Sequence, residues 1–177
     1  SFAEELASLG AKVSLISGPT KLTKPKNLKK FIAVQTAKEM FIACKKNLPK
    51  DLFVSVAAVT DWSIKNISIK KIKKSAFPPN LNLIENPDIL KYVSTHKNRP
   101  KFVVGFAAET HYLDKNAQLK LKSKKCDLIV ANNLTINRQV FGSDINSVSV
   151  YNKKGLIVKY NKVNKRLISN KILTEVI

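Results

Sequence analysis

Residues 101–133, KFVVGFAAETHYLDKNAQLKLKSKKCDLIVANN, contain two apolar runs separated by a polar stretch. The runs at 101–109 and 126–133 are almost continuously apolar, which is typical of parallel strands buried on both faces. The lysine-rich stretch at 114–124 has the length and spacing of a surface helix. A strand, a helix and a second strand form the unit from which doubly wound α/β folds are built.

The same alternation continues toward the amino end of the chain. Helical spacing ends at Gly10, a residue suited to a helix C-terminus, and Thr36 and Pro87 are suited to helix starts. We therefore expect strands at 12–16, 28–34, 52–59 and 81–85, helices at 36–48 and 87–96, and a long polar excursion at 61–79.

The carboxyl-terminal part has a different pattern, because residues 148–161 alternate around the turn at 152–155. This predicts an antiparallel hairpin, followed by a terminal helix. The chain is therefore expected to be one domain over 1–177. Its expected fold is a Rossmann-like, doubly wound and mainly parallel sheet with an appended antiparallel β-hairpin and a C-terminal helix.

The net charge of +20 raises the possibility of nucleic-acid binding. However, only three of the 32 basic residues are arginines, and the lysines are spread along the whole chain. Base edges and paired phosphate oxygens are read best by the arginine fork. A basic nucleic-acid-binding domain is therefore kept as the alternative, while the charge itself would attract small anions.

The two cysteines form no CxxC pair and lie in periodic segments, which indicates buried thiols of a reducing cytoplasm rather than a metal or disulfide framework. No apolar run is long enough for a membrane span, and no membrane association is expected. The GxGxxG pattern of a nicotinamide-binding Rossmann enzyme is absent, as are Walker, GxSxG and HExxH patterns.

Ligands of open α/β sheets bind beyond the carboxyl ends of the strands. Four segments qualify for this rim: 17–20, Asp61 with Trp62, Gly105 with Phe106, and 131–133. Asp61 could accept hydrogen bonds from vicinal hydroxyls or simply be a turn residue. The cluster Lys71, Lys73 and Lys74 could meet phosphates or form a solvated basic loop, and Lys120 and Lys124 share one helix face.

Eight short segments together are similar to the phosphopantothenate–cysteine ligase family, also called phosphopantothenoylcysteine synthetase. This family forms the C-terminal domain of the bifunctional bacterial coenzyme A biosynthesis protein. The matching segments are SGPT (17–20), TAKEM (36–40), SVAAVTDW (55–62), KIKK (71–74), ENPDIL (85–90), VVGFAAET (103–110), KLKSKKCDLIVANN (120–133) and FGSDIN (141–146).

The resemblance implies CTP-dependent ligation of 4'-phosphopantothenate with L-cysteine through an acyl-cytidylate, with Mg²⁺ as cofactor. It assigns Asp61 to holding the nucleotide and makes Lys71 a catalytic residue that contacts the nucleotide and the activated intermediate. It also implies nucleotide contacts from Ser55, Val56, Ala57, Asn86, Pro87, Asp88, Ile89, Phe106, Lys120 and Lys124. The metal ligands stay unknown.

In this family the domain begins with a strand and a glycine-rich S-N-R-S-S-G-K-x-G loop, which residues 1–177 do not contain. We therefore expect the domain to be truncated at its N-terminus, and the isolated chain to bind nucleotide weakly at best and not to turn over. The resemblance further implies a homodimer in which a loop near KIKK reaches toward the partner's site. Thr60 stands where the family usually carries alanine, and a threonine is small enough to fit.

Overall fold

The computed structural model describes residues 1–68, 70–73, 80–133 and 145–176. The helices are α1 (Phe2–Ser8), α2 (Ala37–Lys46), α3 (Ile89–Thr95), α4 (Leu113–Lys124) and α5 (Lys165–Lys171), the last continued by a π-helical turn, Ile172–Val176. The strands are β1 (Ser14–Ser17), β2 (Lys30–Ala33), β3 (Leu52–Ser55), β4 (Trp62–Ile64), β5 (Leu83–Glu85), β6 (Phe102–Glu109), β7 (Leu128–Asn133), β8 (Ile145–Asn152) and β9 (Gly155–Asn164).

A five-stranded sheet in the order β3-β6-β7-β8-β9 forms the centre of the fold. The strands β3, β6 and β7 are parallel, whereas β8 and β9 are antiparallel additions. This arrangement confirms the expected mainly parallel α/β sheet with an appended hairpin and a terminal helix. Two smaller pairs accompany it: β1 with β2 in parallel, and β4 with β5 in antiparallel orientation.

Both faces of the central sheet are covered, which explains why β6 and β7 are apolar at nearly every position. On one face, Val103 and Ile129 pack with Ala117 and Leu121 of α4. On the other face, Val104 and Val130 belong to a cluster that includes Ile168 of α5.

Local signals in the sequence explain several element ends. The Thr36 hydroxyl accepts a hydrogen bond from the Glu39 N–H at 3.1 Å and so caps α2 as expected. The hairpin turns at the expected glycine, because Gly155 has φ 136°, a value that side chains disfavour. The Asn152 side chain accepts from the Lys154 N–H at 2.8 Å and closes the same turn.

Two expectations about strands need correction. The strand expected at 52–59 ends at Ser55, and Val56 is 52% exposed rather than buried. The excursion expected at 61–79 begins with a strand, β4. The strand expected at 81–85 corresponds to β5, and it pairs with β4, for which no strand was expected. After Ser55 the chain leaves the central sheet, and β4 and β5 form a separate two-stranded ribbon.

No helix among the described residues is both long and apolar enough to cross a membrane.

The amino-terminal and carboxyl-terminal helices are connected by Arg166, whose Nε donates to the buried Glu5 carboxylate at 2.5 Å. This hydrogen bond holds the pKa of Glu5 below its ordinary value. Tyr151 at the sheet donates to Asp114 of α4, and burial with this hydrogen bond raises its pKa to about 12.

An alanine in place of Gly105, inside β6, is expected to destabilise the fold. A Cβ atom would lie 2.6 Å from Cδ2 of Leu90 and 2.8 Å from Cδ1 of Ile129. Overpacking of this kind costs about 1–3 kcal/mol, so thermal unfolding of Gly105→Ala should begin several degrees lower. Gly18→Ala is the control, because its Cβ would meet only Met40 at 3.8 Å. Equal melting temperatures for the two variants would contradict this packing.

Both thiols are expected to be unreactive in the folded chain. Cys44 and Cys126 are buried, and burial raises the pKa of each to about 11. At pH 7.5 a colourimetric disulfide reagent should therefore react slowly with native protein and fast in guanidinium. Because these thiols ionise near pH 9 when unfolded, the free energy of unfolding should fall as pH rises from about 9 to 11. Fast reaction of a native thiol would contradict this burial.

Candidate functional site

The carboxyl ends of β3, β6 and β7 lie at one edge of the central sheet, because these strands are parallel. Ser55 of β3 pairs with Gly105 of β6, and farther along β6 Ala107 pairs with Ala131 of β7. The segments that leave these strands therefore emerge on the same side. We call this edge the carboxyl rim, and Ser55, Val56 and Ala57 lie at it.

The first predicted segment leaves β3 at the carboxyl rim. Ser55 is the last residue of β3 and is partly buried, whereas Val56 and Ala57 are exposed in the loop that follows. The alanine offers little steric barrier between the backbone and a ligand. Asp61 ends this loop and is also exposed, with its carboxylate making no ion pair with a described residue.

The second predicted segment, around Asn86, is joined directly to the first. The Asn86 N–H donates to the carbonyl of Asp61 at 2.8 Å. The Asn86 side chain donates to the carbonyl of Thr60 at 2.9 Å. These bonds extend the β4–β5 ribbon, in which Trp62 pairs with Glu85. Residues far apart in the chain are thus held together in the segment that follows β3.

Asp88 has two partners within the protein. One carboxylate oxygen accepts from the Lys91 N–H at 3.0 Å and caps α3. The other accepts from Nζ of Lys124 at 2.5 Å. The structure therefore brings together two residues predicted from separate segments. Pro87 is exposed, whereas the Ile89 side chain is buried in a core cluster with Cys44 and Val93.

Lys120 is held by an acid that the sequence patterns did not single out. Its Nζ lies 3.1 Å from Glu109, whose side chain is only 17% exposed. Asn116 donates to the other Glu109 oxygen at 2.9 Å. Glu109 is the last residue of β6. An acidic residue at the end of an apolar run was the sequence feature that could have identified it. This carboxylate orients the lysine toward the carboxyl rim.

Phe106 lies inside β6, not in a turn after it, and the same correction applies to Gly105. The expected turn at 131–133 likewise falls within β7. The apolar runs continue as strands through these residues because they pair with each other along β6 and β7. Phe106 is partly buried and packs edge-on against Phe2, with 5.4 Å between ring centroids.

Lys71 lies in the segment between β4 and β5 and is exposed, as are Lys70 and Lys73. None of the three forms an ion pair with another described residue. Their ammonium groups are therefore available to a ligand. Lys74 and most of the FGSDIN segment lie outside the described residues.

The segment 17–20 begins with the last residue of β1, Ser17, in the separate β1–β2 pair. The Ser17 hydroxyl donates to the carbonyl of Gly18 at 3.0 Å, and Thr20 accepts from the Leu22 N–H at 3.1 Å. These contacts shape the turn locally. They do not connect it to Asp61 or Asn86.

The described residues contain no group of three acidic, histidine or cysteine side chains placed to hold a metal ion. Asp88 and Glu109 are already paired with lysines. Mg²⁺ in nucleotide sites is commonly held by one or two carboxylates together with the substrate's phosphates. The donor set thus does not fit a dedicated protein magnesium site, and Asp61, in contrast to Asp88 and Glu109, forms no ion pair with a described residue.

The profile of the DNA/pantothenate metabolism flavoprotein C-terminal domain matches residues 1–177. The chain is 42% identical over 154 residues to the Coenzyme A biosynthesis bifunctional protein CoaBC of Haemophilus influenzae, covering 86% of the chain and 38% of that relative. The CoaBC of Bacillus subtilis is 39% identical over 175 residues, covering 98% of the chain and 43% of that relative. The chain thus spans about two fifths of the length of these curated relatives.

A solved structure with a similar fold is the crystal structure of the C-terminal domain of a CoaBC protein. It superposes with a TM-score of 0.78 at 29% sequence identity, covering 99% of this chain and 78% of that one. The sequence and structural similarities therefore agree on the same region of the relatives.

Proposed function

The chain belongs to the family of the DNA/pantothenate metabolism flavoprotein C-terminal domain, and we propose that it ligates 4'-phosphopantothenate to L-cysteine with CTP as co-substrate. The products are phosphopantothenoylcysteine, CMP and pyrophosphate. The proposed setting is the cytoplasm, since two buried free thiols suit a reducing compartment. The chain would be the ligase part of a longer protein.

The observation that carries this proposal is the junction between the two nucleotide-recognition segments. Asn86 donates from its backbone to Asp61 and from its side chain to Thr60. In the proposed site, the Asp61 carboxylate accepts hydrogen bonds from the ribose hydroxyls. The segment of Asn86 and Pro87 then lies beside the base. The junction fixes the distance between these two recognition elements before the nucleotide arrives, which lowers the entropic cost of binding.

The first chemical step joins the substrate carboxylate to the nucleotide. A carboxylate oxygen of phosphopantothenate attacks the α-phosphorus of CTP, and the bond to pyrophosphate breaks. This step brings one anion onto another, so cations must offset the repulsion and stabilise the charge that develops. We assign this role to Lys71, whose ammonium group is exposed and has no acidic partner among the described residues.

The second step forms the amide. The amine of cysteine attacks the acyl carbon, and the bond between that carbon and the bridging oxygen breaks. CMP leaves with an oxygen that came from the substrate carboxylate. A carboxylate becomes a usable acyl donor only when its oxygen can leave in this way, which is why the nucleotide is consumed.

Lys120 and Lys124 are proposed phosphate ligands that the fold orients in advance. Each is held by a carboxylate, Glu109 for Lys120 and Asp88 for Lys124. Such pairing restricts the rotamers of each lysine side chain. A phosphate would then meet both lysines without having to order them, although each lysine shares its charge with its acid.

The β4–β5 ribbon supports a homodimer. Four of its residues are large, apolar and 42–58% exposed, namely Trp62, Ile64, Leu83 and Ile84. Exposed apolar groups concentrated on one element are typical of an interface. We propose that two copies of the chain meet through this ribbon, so that the segment carrying Lys71 approaches the partner's site.

Charging the ribbon is expected to separate the dimer. Ile64 pairs with Leu83 across the ribbon, and Ile64→Glu/Leu83→Glu would place two carboxylates in the apolar contact. Sedimentation velocity should then report a monomer where the unchanged chain gives a dimer. Leu22→Glu/Leu156→Glu is the matched control, because these residues are 82% and 48% exposed outside the ribbon. A monomeric unchanged chain, or dissociation of the control, would refute this interface.

The function itself is tested by pyrophosphate release, measured in a protein that carries residues 1–177 behind the family's glycine-rich segment. Release is expected only when CTP and phosphopantothenate are both present, and the amide product only when cysteine is added. A protein that retains CTP but releases no pyrophosphate with phosphopantothenate would contradict the proposal.

A further inference from the structure

A cavity of about 550 Å³ lies at the end of the central sheet opposite the carboxyl rim. We call it the amino-end pocket. It is lined by Ser94, Thr95, Arg99, Gln118, Leu121, Lys122, Lys125 and Lys153. Its volume is within the range of small-molecule sites. None of these residues belongs to the proposed nucleotide site.

The topology explains why four basic residues meet there. Arg99 precedes β6 and Lys125 precedes β7, so both lie at the amino ends of parallel strands. Lys153 lies in the turn between β8 and β9. Because β8 is antiparallel to β7, that turn returns to the same edge. The fold thus gathers cations from three separate connections.

Most of this charge is not neutralised by the protein. Arg99 is paired through one Nη with Asp127 at 2.5 Å, and its buried Nε has no hydrogen-bond partner. Among the described residues, Lys122, Lys125 and Lys153 form no ion pairs. The pocket therefore carries about three uncompensated positive charges. Like charges that converge repel one another, so the arrangement favours a bound anion.

Two features indicate a compact anion rather than a long polymer. The cations line a single concavity instead of forming a stripe. Of the four basic residues, only Arg99 has a planar guanidinium group with paired donors, and the three lysines carry compact ammonium charges. Phosphate oxygens suit such a set, because several ammonium groups can each contact a different oxygen.

We propose that the amino-end pocket binds a small, multiply charged phosphate anion and is a second anion site, separate from the nucleotide site. The proposal does not depend on the ligase reaction, since none of its residues takes part in that site. Two of the lysines lie at the C-terminal end of α4, where they also offset the partial charge of the last carbonyls. A test must separate that structural role from binding.

The test is a titration of the ¹⁵N-labelled chain with inorganic pyrophosphate at constant ionic strength, followed by assigned amide shifts. Saturable shifts are expected at Thr95, Arg99, Lys125 and Lys153, in addition to any shifts at the carboxyl rim. In Lys122→Gln/Lys125→Gln/Lys153→Gln, the affinity read from the pocket shifts should fall about tenfold, as expected for losing three modest charge contacts.

The matched control is Lys12→Gln/Lys29→Gln/Lys46→Gln, which removes the same charge from exposed lysines outside the pocket. Its pocket affinity should stay within about twofold of the unchanged chain, because distant charges are screened. Three results would overturn the proposal. The first is the absence of saturable amide shifts at the pocket, and the second is an equal loss of pyrophosphate affinity in the control variant. The third is a pocket variant (Lys122→Gln/Lys125→Gln/Lys153→Gln) that has a lower melting temperature but unchanged pocket shifts.

Discussion

Replacing Lys71 with alanine is expected to lower pyrophosphate release by about a hundredfold to a thousandfold, as for the loss of a group that stabilises transition-state charge. Lys71 is exposed and has no acidic partner among the described residues. Its removal should therefore leave the melting temperature unchanged. The measurement is the steady-state rate with saturating CTP, phosphopantothenate and cysteine, in the protein that carries the upstream segment.

The matched control is Lys70→Ala, because Lys70 is the neighbouring exposed lysine and its loss changes the net charge equally. We expect this variant to keep its activity within a few-fold of the unchanged protein. Lys71→Arg should recover part of the lost rate, since it restores charge with a different shape. Equal losses for Lys70→Ala and Lys71→Ala would show that only general charge matters.

Replacing Asp61 with asparagine is expected to weaken CTP binding by about tenfold to a hundredfold. The proposed contact is between the carboxylate and ribose hydroxyls, and hydrogen bonds to charged groups contribute about 1.5–3 kcal/mol. The substitution leaves the backbone carbonyl that accepts from Asn86. Isothermal titration calorimetry of CTP with the unchanged protein and with Asp61→Asn, both carrying the upstream segment, gives the two affinities directly.

The direction of the change in CTP affinity is informative, because the substitution also makes the chain more positive. General electrostatics would strengthen the binding of anionic CTP. Asp51→Asn is the control, since Asp51 is exposed at the amino end of β3 and pairs there with Lys101. It should leave CTP affinity unchanged or slightly improved. Tighter binding by Asp61→Asn would contradict a recognition role for this carboxylate.

The central fold could be predicted because its signals are local and repeated. The continuous apolar runs of β6 and β7 require cover on both faces, and the sheet has it. Thr36 and Gly155 mark a helix start and a turn through conformational preferences that act within a few residues. The expected α/β fold with its hairpin followed from these features.

The strand β4 and its pairing with β5 were not predicted, because the stability of this ribbon does not come from a buried face. Leu83 and Ile84 are exposed, so no alternation between buried and solvated positions marks the strands. The ribbon depends on pairing across a long insertion, which short-range patterns do not reveal. For the same reason, the apolar run after Ser55 looked like buried strand, although Val56 lies in an exposed loop.

The residues of the candidate site were predicted one by one from family resemblance. The ion pairs that these residues form within the protein were not predicted. Spacing placed Lys120 and Lys124 on one helix face but could not reveal their acids, Glu109 and Asp88. Those pairs join different elements, and their formation depends on the packing of α4 against its neighbours. The cationic amino-end pocket was hidden for a similar reason, because its lysines are dispersed in a lysine-rich sequence.

The most direct test of the central claim follows the oxygen atoms of the substrate carboxylate. Phosphopantothenate labelled with ¹⁸O in its carboxylate is incubated with CTP, cysteine and the protein that carries the upstream segment. Activation through an acyl-cytidylate predicts that mass spectrometry finds one ¹⁸O in CMP and one in the new amide. Unlabelled CMP, or ¹⁸O in inorganic phosphate, would contradict the proposed mechanism.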